Sequence, residues 1–271
     1  MTSLTANLDR IMAFAGRYQL PLANRQAILR EYLQSRILEF IYSQKSTAKL
    51  FFVGGTALRL LYSLDRFSED MDFNLVDLSA EQLTQLMSGL KQRLAKENLP
   101  VKLYHNRTKK KLYFELRFAE LLYELGISSH KEANLVIKFD FESFWQGQTA
   151  SVVSFERFGF FSQVVTPNMN QLLVQKLYAY LHRKQTLARD IYDLVWLYAQ
   201  GARLDQQFIQ ANRLPVNMIE QAQTKFQADK LELETLKQKL KPFLIYPENV
   251  RKLELFEVVL EKLEKKSISS A

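Results

Sequence analysis

Cysteine is absent from this chain and histidine occurs three times. Structural disulfides and a thiolate zinc site are therefore excluded, and three histidines scattered along the chain argue against a histidine metal centre. No apolar run approaches the roughly 20 residues that a helix needs to cross a bilayer. The start Met1-Thr2-Ser3-Leu4 shows no basic region followed by an apolar one, so no secretory signal is visible and a cytoplasmic protein is expected. Glycine and proline are few, 8 and 6, and no repeat or low-complexity linker interrupts the chain. Acidic residues are outnumbered, 29 against 37 Lys and Arg, for a net charge of +8. That excess raises affinity for any polyanion without naming one. A hydrophobic content of 47% over 271 residues suffices for one large domain or two lobes with their own cores.

Against this background one stretch stands out. Phe51-Phe52-Val53-Gly54-Gly55-Thr56-Ala57-Leu58 reads as an apolar strand running into a Gly-Gly-Thr turn at the head of a helix. Ser68-Glu69-Asp70-Met71-Asp72-Phe73 then reads as a strand carrying Asp-x-Asp. Side chains alternate along a strand, so Asp70 and Asp72 project to one side while Met71 and Phe73 turn toward a core. Neighbouring carboxylates repel unless a cation sits between them. Hard oxygen ligands suit Mg²⁺, which completes its octahedron with water and substrate phosphates. With no side chains at Gly54 and Gly55, backbone N–H groups can approach phosphate oxygens, and the helix opening near Thr56 points its positive end at them. Arg66 and Ser68 add a cation and a hydroxyl just before the carboxylates. Each half alone has an ordinary reading, a tight turn or a solvated strand face. Joined by the apolar-faced helix at 57–62, they describe a site for a metal-bound triphosphate.

The runs Val53-Gly54-Gly55-Thr56-Ala57-Leu58 and Arg66-Phe67-Ser68-Glu69-Asp70-Met71-Asp72-Phe73 resemble the signature of the AbiEii/AbiGii toxin branch of the DNA polymerase β-like nucleotidyltransferases, which includes the MenT toxins. The likeness continues more weakly downstream to about residue 200. It implies an enzyme that uses Mg²⁺ or Mn²⁺ and a nucleoside triphosphate. It also implies the toxin of a type IV toxin–antitoxin or phage-defence pair, adding nucleotides to the 3′ end of tRNA, with a cognate antitoxin encoded nearby.

Leu135 to Glu142 reads as a buried strand with Lys138, Asp140 and Glu142 alternating onto one face. The resemblance makes Asp140 the third metal ligand and the acceptor of a proton from the attacking hydroxyl. Glu142 is the alternative, and a polar face on an edge strand is the ordinary reading. Thr166-Pro167 reads as a helix start, with Lys176 and Arg183 on nearby faces of the helix that follows. Arg189-Asp190-Ile191-Tyr192-Asp193-Leu194 opens another helix, ended by Gly201. By resemblance Lys176 reaches the triphosphate and Asp190, with Asp193 close by, completes the active site. From the residues alone they read equally as a solvated lysine and a surface ion pair. Positive charge concentrates at Arg107-Thr108-Lys109-Lys110-Lys111, flanked by Tyr104 and Tyr113, at the turn between strands 101–106 and 112–118. Arg107, Lys109, Lys110 and Lys111 suit an RNA backbone, or equally a solvated hairpin tip that protects an edge.

Residues 1–47 are expected to pack as helices on the core, two amphipathic segments over 4–45 broken near Leu20-Pro21, with Leu29, Leu33, Ile37, Phe40 and Ile41 on one face of the second. Ser79 with Gln82 forms a capping box. Residues 48–165 form the nucleotidyltransferase core and 166–271 a helical lobe, in which 249–266 reads as a charged helix burying Leu253, Phe256, Leu260 and Leu263. The fold class is α+β, a small mixed β-sheet with flanking helices and a C-terminal helical lobe. Two rival functions stand beside tRNA modification: transfer to a protein or small-molecule hydroxyl, and a non-catalytic nucleotide-binding module.

Overall fold

Five stretches pair into one sheet in the computed structural model, which describes residues 4, 7–44, 47, 49–107 and 111–268. They are β1 (Leu50–Val53), β2 (Met71–Leu75), β3 (Lys102–Arg107), β4 (Lys111–Phe118) and β5 (Leu135–Glu142), ordered β1-β2-β5-β4-β3. Only β2 and β5 run parallel; the other pairs are antiparallel, so the sheet is mixed. Helices α1 (Leu8–Arg17), α2 (Arg25–Tyr42), α3 (Gly54–Tyr62), α4 (Ala80–Lys96) and the single turn α5 (Leu121–Glu124) accompany it. A two-stranded sheet follows, β6 (Ala150–Arg157) with β7 (Phe160–Pro167). The rest is helical: α6 (Met169–His182), α7 (Ala188–Ala199), α8 (Gln206–Ala211), α9 (Met218–Asp229), α10 (Leu233–Leu240) and α11 (Phe256–Ile268). Among the described residues no helix is long and apolar enough to cross a membrane.

The chain divides into two compact units. The sheet unit holds Met1–Ser63, Phe67–Phe144 and Val152–Thr166; the helical unit holds Leu64–Arg66, Trp145–Ser151 and Pro167–Ala271.

In the sheet unit, register sorts the side chains into two faces. Phe52, Phe73, Phe141 and Leu112 form one cross-strand row and all are buried. Ring centroids lie 5.1 Å apart for Phe52 and Phe73, and 5.2 Å for the stacked Phe73 and Phe141. Such pairs add roughly 0.5–1.5 kcal/mol each beyond the area they bury. Met71 and Phe73 turn into this core as alternation requires. The other face carries Asp72, Asp140, Tyr113 and Asn106 in the adjoining row. β5 is the central strand of the five, not an edge, so the polar alternation at Lys138, Asp140 and Glu142 belongs to the sheet's middle.

On α2 the expected apolar positions Leu29, Leu33, Ile37 and Ile41 are buried, while Phe40 is half-exposed. Glu31 and Gln34 are buried beside them. Glu31 is satisfied by two guanidinium groups, Arg59 Nε at 2.8 Å and Arg157 Nε at 2.5 Å, as a buried carboxylate must be. The Ser79–Gln82 capping box is formed.

Three boundaries differ from expectation. Asp70 lies just before β2 and not within it. The helix expected at Thr166-Pro167 begins later: β7 runs through Pro167, and Asn168 is the cap, its side chain accepting from the Gln171 N–H at 3.0 Å. Proline tolerates a strand end as well as a first helical turn, and the carboxamide one residue on makes the cap. The helix read over 249–266 is split, a 3₁₀ segment over Pro247–Leu255 followed by α11, yet Leu253, Phe256, Leu260 and Leu263 are all buried as expected.

Candidate active site

β1 ends directly in α3 because Gly54 takes φ +76°, a conformation that carries a side chain badly. The glycine is needed for a second reason. A Cβ built there would lie 2.9 Å from Asp72 Cγ and closer still to its Oδ2, so the turn folds flush against that carboxylate. We expect Gly54→Ala to push the two apart, with a loss of about 1–3 kcal/mol from backbone strain and of transfer activity together. Urea unfolding and a turnover assay on one preparation check this, and a variant normal in both would remove Gly54 from the site.

Register places Asp72 opposite Asp140 across the parallel pair, and Glu142 opposite Asn74. Asp140, not Glu142, therefore stands beside Asp72. Both are half-buried, as is Asp70. Asp70 is held through its backbone: the buried Thr56 hydroxyl donates to its carbonyl. The preceding carbonyls of Ser68 and Glu69 accept from Gln34 Nε2 at 3.1 and 2.9 Å. Thr56, expected at the phosphates through the turn, thus spends its side chain on the acidic segment. Gln34 was not legible as a site residue. Its signal is a carboxamide on the otherwise apolar face of α2, where only a buried partner justifies it.

Tyr113 faces Asp140 from β4, and its hydroxyl donates to Glu115 at 2.7 Å. Burial first, then Glu115, then the charges of Asp140 and Asp70 push its phenol above the usual tyrosine range. The oxygen donors Asp70, Asp72 and Asp140 have the chemistry of a Mg²⁺ or Mn²⁺ site. Among the described residues no group of three or more His, Cys, Asp or Glu is gathered to hold a metal unaided.

The expected site residues Arg66, Lys176 and Asp190 belong to the helical unit and lie around Asp193. Arg66, fully buried, grips it through Nε at 2.7 Å and Nη2 at 2.6 Å. Lys176 Nζ lies 2.7 Å from the same carboxylate, and Asp190, one turn earlier on α7, is paired with Arg183 at 2.5 Å. Burial opposes ionisation of Asp193, but Arg66 and then Lys176 hold its carboxyl below the usual range. Arg66 and Lys176 thus share a buried aspartate three residues past the one singled out in the sequence. In the basic turn, Lys109 and Lys110 lie outside the described residues; Arg107 and Lys111 end β3 and β4, with undescribed side chains.

This chain is similar to JHP933 from Helicobacter pylori, 18% identical over 90% of this chain and 96% of the other, with a TM-score of 0.50. It is similar to a second H. pylori structure, a candidate nucleotidyltransferase, at 17% identity over 89% and 97% with a TM-score of 0.53. MenT4, a nucleotidyltransferase toxin of Mycobacterium tuberculosis H37Rv, matches at 20% identity over 76% and 67%, with a TM-score of 0.49. At such identities the H. pylori structures share the fold. No curated protein matches. The family model described as the nucleotidyl transferase AbiEii toxin of type IV toxin–antitoxin systems matches residues 36–261. That span is most of the chain, it includes the glycine turn and all three carboxylates, and the protein belongs to the AbiEii nucleotidyltransferase toxin family.

Proposed function

We propose that this nucleotidyltransferase moves a nucleoside monophosphate from a nucleoside triphosphate to the 3′-hydroxyl of tRNA, with Mg²⁺ or Mn²⁺ held by Asp70, Asp72 and Asp140. The observation that carries this reading is the in-register pair Asp72 and Asp140, with Gly54 folded against the Asp72 carboxylate. Magnesium is usually held by one or two carboxylates together with water and substrate phosphates, not by an all-protein cage. An incomplete carboxylate set therefore fits an ion that arrives with its nucleotide. When bound, the ion stabilises charge on the attacking and leaving oxygens of an in-line displacement.

The protein's own part is to bind, orient and accept a proton. Backbone N–H groups of Gly54, Gly55 and Thr56 at the start of α3 take phosphate oxygens, with Ser68 as a further contact. In the helical unit Arg66 and Lys176, both bonded to Asp193, are candidate phosphate contacts of their own. The acceptor oxygen bonds to the α-phosphorus, its proton passes to Asp140, and the bond to the bridging oxygen breaks as pyrophosphate leaves with the electron pair. Thr56 and Gln34 keep the Asp70 segment in place throughout. Arg107, Lys109, Lys110 and Lys111 supply charge for the RNA backbone. A cognate antitoxin follows from the family.

The test is incubation of purified protein and total RNA with each nucleoside triphosphate labelled at the α-phosphate, with and without a chelator. We expect label in tRNA from one nucleotide, abolished by the chelator. Label in protein would move the acceptor to a polypeptide hydroxyl, and nucleotide binding without label anywhere would leave a non-catalytic module.

A further inference from the structure

Beside Asp70, on the polar face of the five-stranded sheet, lies a cavity of about 460 Å³ lined by Arg30, Glu69, Asp70, Glu115, Arg117, Asn134, Val136 and Lys138. Its wall is polar and mixed in sign, with three cations, three carboxylates and one carboxamide against a single aliphatic side chain. Arg117 bonds to Glu115 and lays its guanidinium over the ring of Tyr104, 4.5 Å from the centroid. Tyr104 does not line the cavity itself; it is 45% exposed and meets the cavity through Arg117, so a ring-and-guanidinium platform faces solvent beside it. Arg30 pairs with Glu69 at 2.8 Å through Nη1, while its buried Nε has no hydrogen-bond partner among the described residues.

We propose that this cavity seats the 3′-terminal nucleoside of a single-stranded RNA acceptor, its base on Tyr104 and Arg117 and its phosphodiester toward Lys138 and Arg30. The inference rests on the transfer reading above and names the acceptor's subsite. Three arguments select this occupant. An apolar ligand would meet a wall that is mostly polar and carries six charged side chains. Away from the metal site, the several charges of a triphosphate would face Glu69 and Glu115, which repel them, whereas ribose hydroxyls and a base edge donate to carboxylates. Aromatic and guanidinium planes are what unpaired bases stack on, and the 2′-hydroxyl gives RNA a donor that DNA lacks. A nucleoside seated here presents its terminal hydroxyl next to Asp70, at the mouth of the carboxylate site.

The test is binding of a 5′-labelled single-stranded RNA oligonucleotide, followed by fluorescence anisotropy without nucleoside triphosphate, for wild type, Tyr104→Ala, Tyr104→Phe and Lys138→Gln. We expect Tyr104→Ala and Lys138→Gln to weaken binding by about tenfold, the size of one lost stacking or backbone contact. Tyr104→Phe should bind like wild type, since the stacking plane survives. All three should melt like wild type, because both side chains are exposed. Unchanged binding in Tyr104→Ala and Lys138→Gln would overturn the proposal. So would displacement of the oligonucleotide by nucleoside triphosphate and Mg²⁺, which would give the cavity to the donor. Binding that depends on Tyr104 and Lys138 in a protein that labels no RNA would uphold the subsite and overturn the transfer reading instead.

Discussion

Asp72→Asn is expected to abolish nucleotidyl transfer while leaving the melting temperature equal to or above that of wild type. Asparagine keeps the shape that packs on Gly54 but offers a neutral oxygen where a cation needs an anionic one. Losing an outer partner of a metal site already costs roughly 10–100-fold in activity or affinity, so losing a direct carboxylate costs more. Stability moves the other way because Asp72 and Asp140 face each other in register, and removing one of two like charges relieves their repulsion. Turnover and a thermal melt measured on the same preparation check both halves. Transfer near wild-type levels, or a collapsed transition, would return Asp72 to a structural role.

Asp193→Ala should have the largest effect on stability. The carboxylate is fully buried between Arg66 and Lys176, and its removal leaves the Arg66 guanidinium buried with its main counter-charge gone. Breaking a buried pair in this way costs about 3–5 kcal/mol, read as a lower urea midpoint. The pH dependence has a definite sign. The folded carboxyl of Asp193 is held below its ordinary value despite burial, by Arg66 and then Lys176. The unfolded chain, with its aspartate near pH 3.9, therefore takes up the proton first as pH falls. The contribution of Asp193 is fully present above that value and is lost as pH falls through the depressed one. The gap between wild type and Asp193→Ala should thus be constant from about pH 5 upward and narrow below about pH 4. A gap that held its full size into strong acid would mean that Asp193 is not ionised in the fold.

What the sequence determined alone is local. The apolar strand, the Gly-Gly turn and the helix behind it are set by neighbours within a few residues, as are the alternation of Met71 and Phe73 against the carboxylates and the Ser79 cap. Period-2 and period-3.6 patterns carry that information directly. The family was legible for the same reason, since its signature lies within 21 consecutive residues, 53 to 73. Pairing over long separations was decided by tertiary structure. Asp140, and not Glu142, lies opposite Asp72 because of the register between β2 and β5, and strand pattern does not encode register with a distant partner. Gln34 reaches Ser68 and Glu69 from 34 and 35 positions away, and Arg66 meets Asp193 across 127. Both contacts satisfy buried polar groups, a demand that arises only once the chain has excluded water from them. The sequence therefore named the carboxylates and the turn, while packing determined which partners hold them.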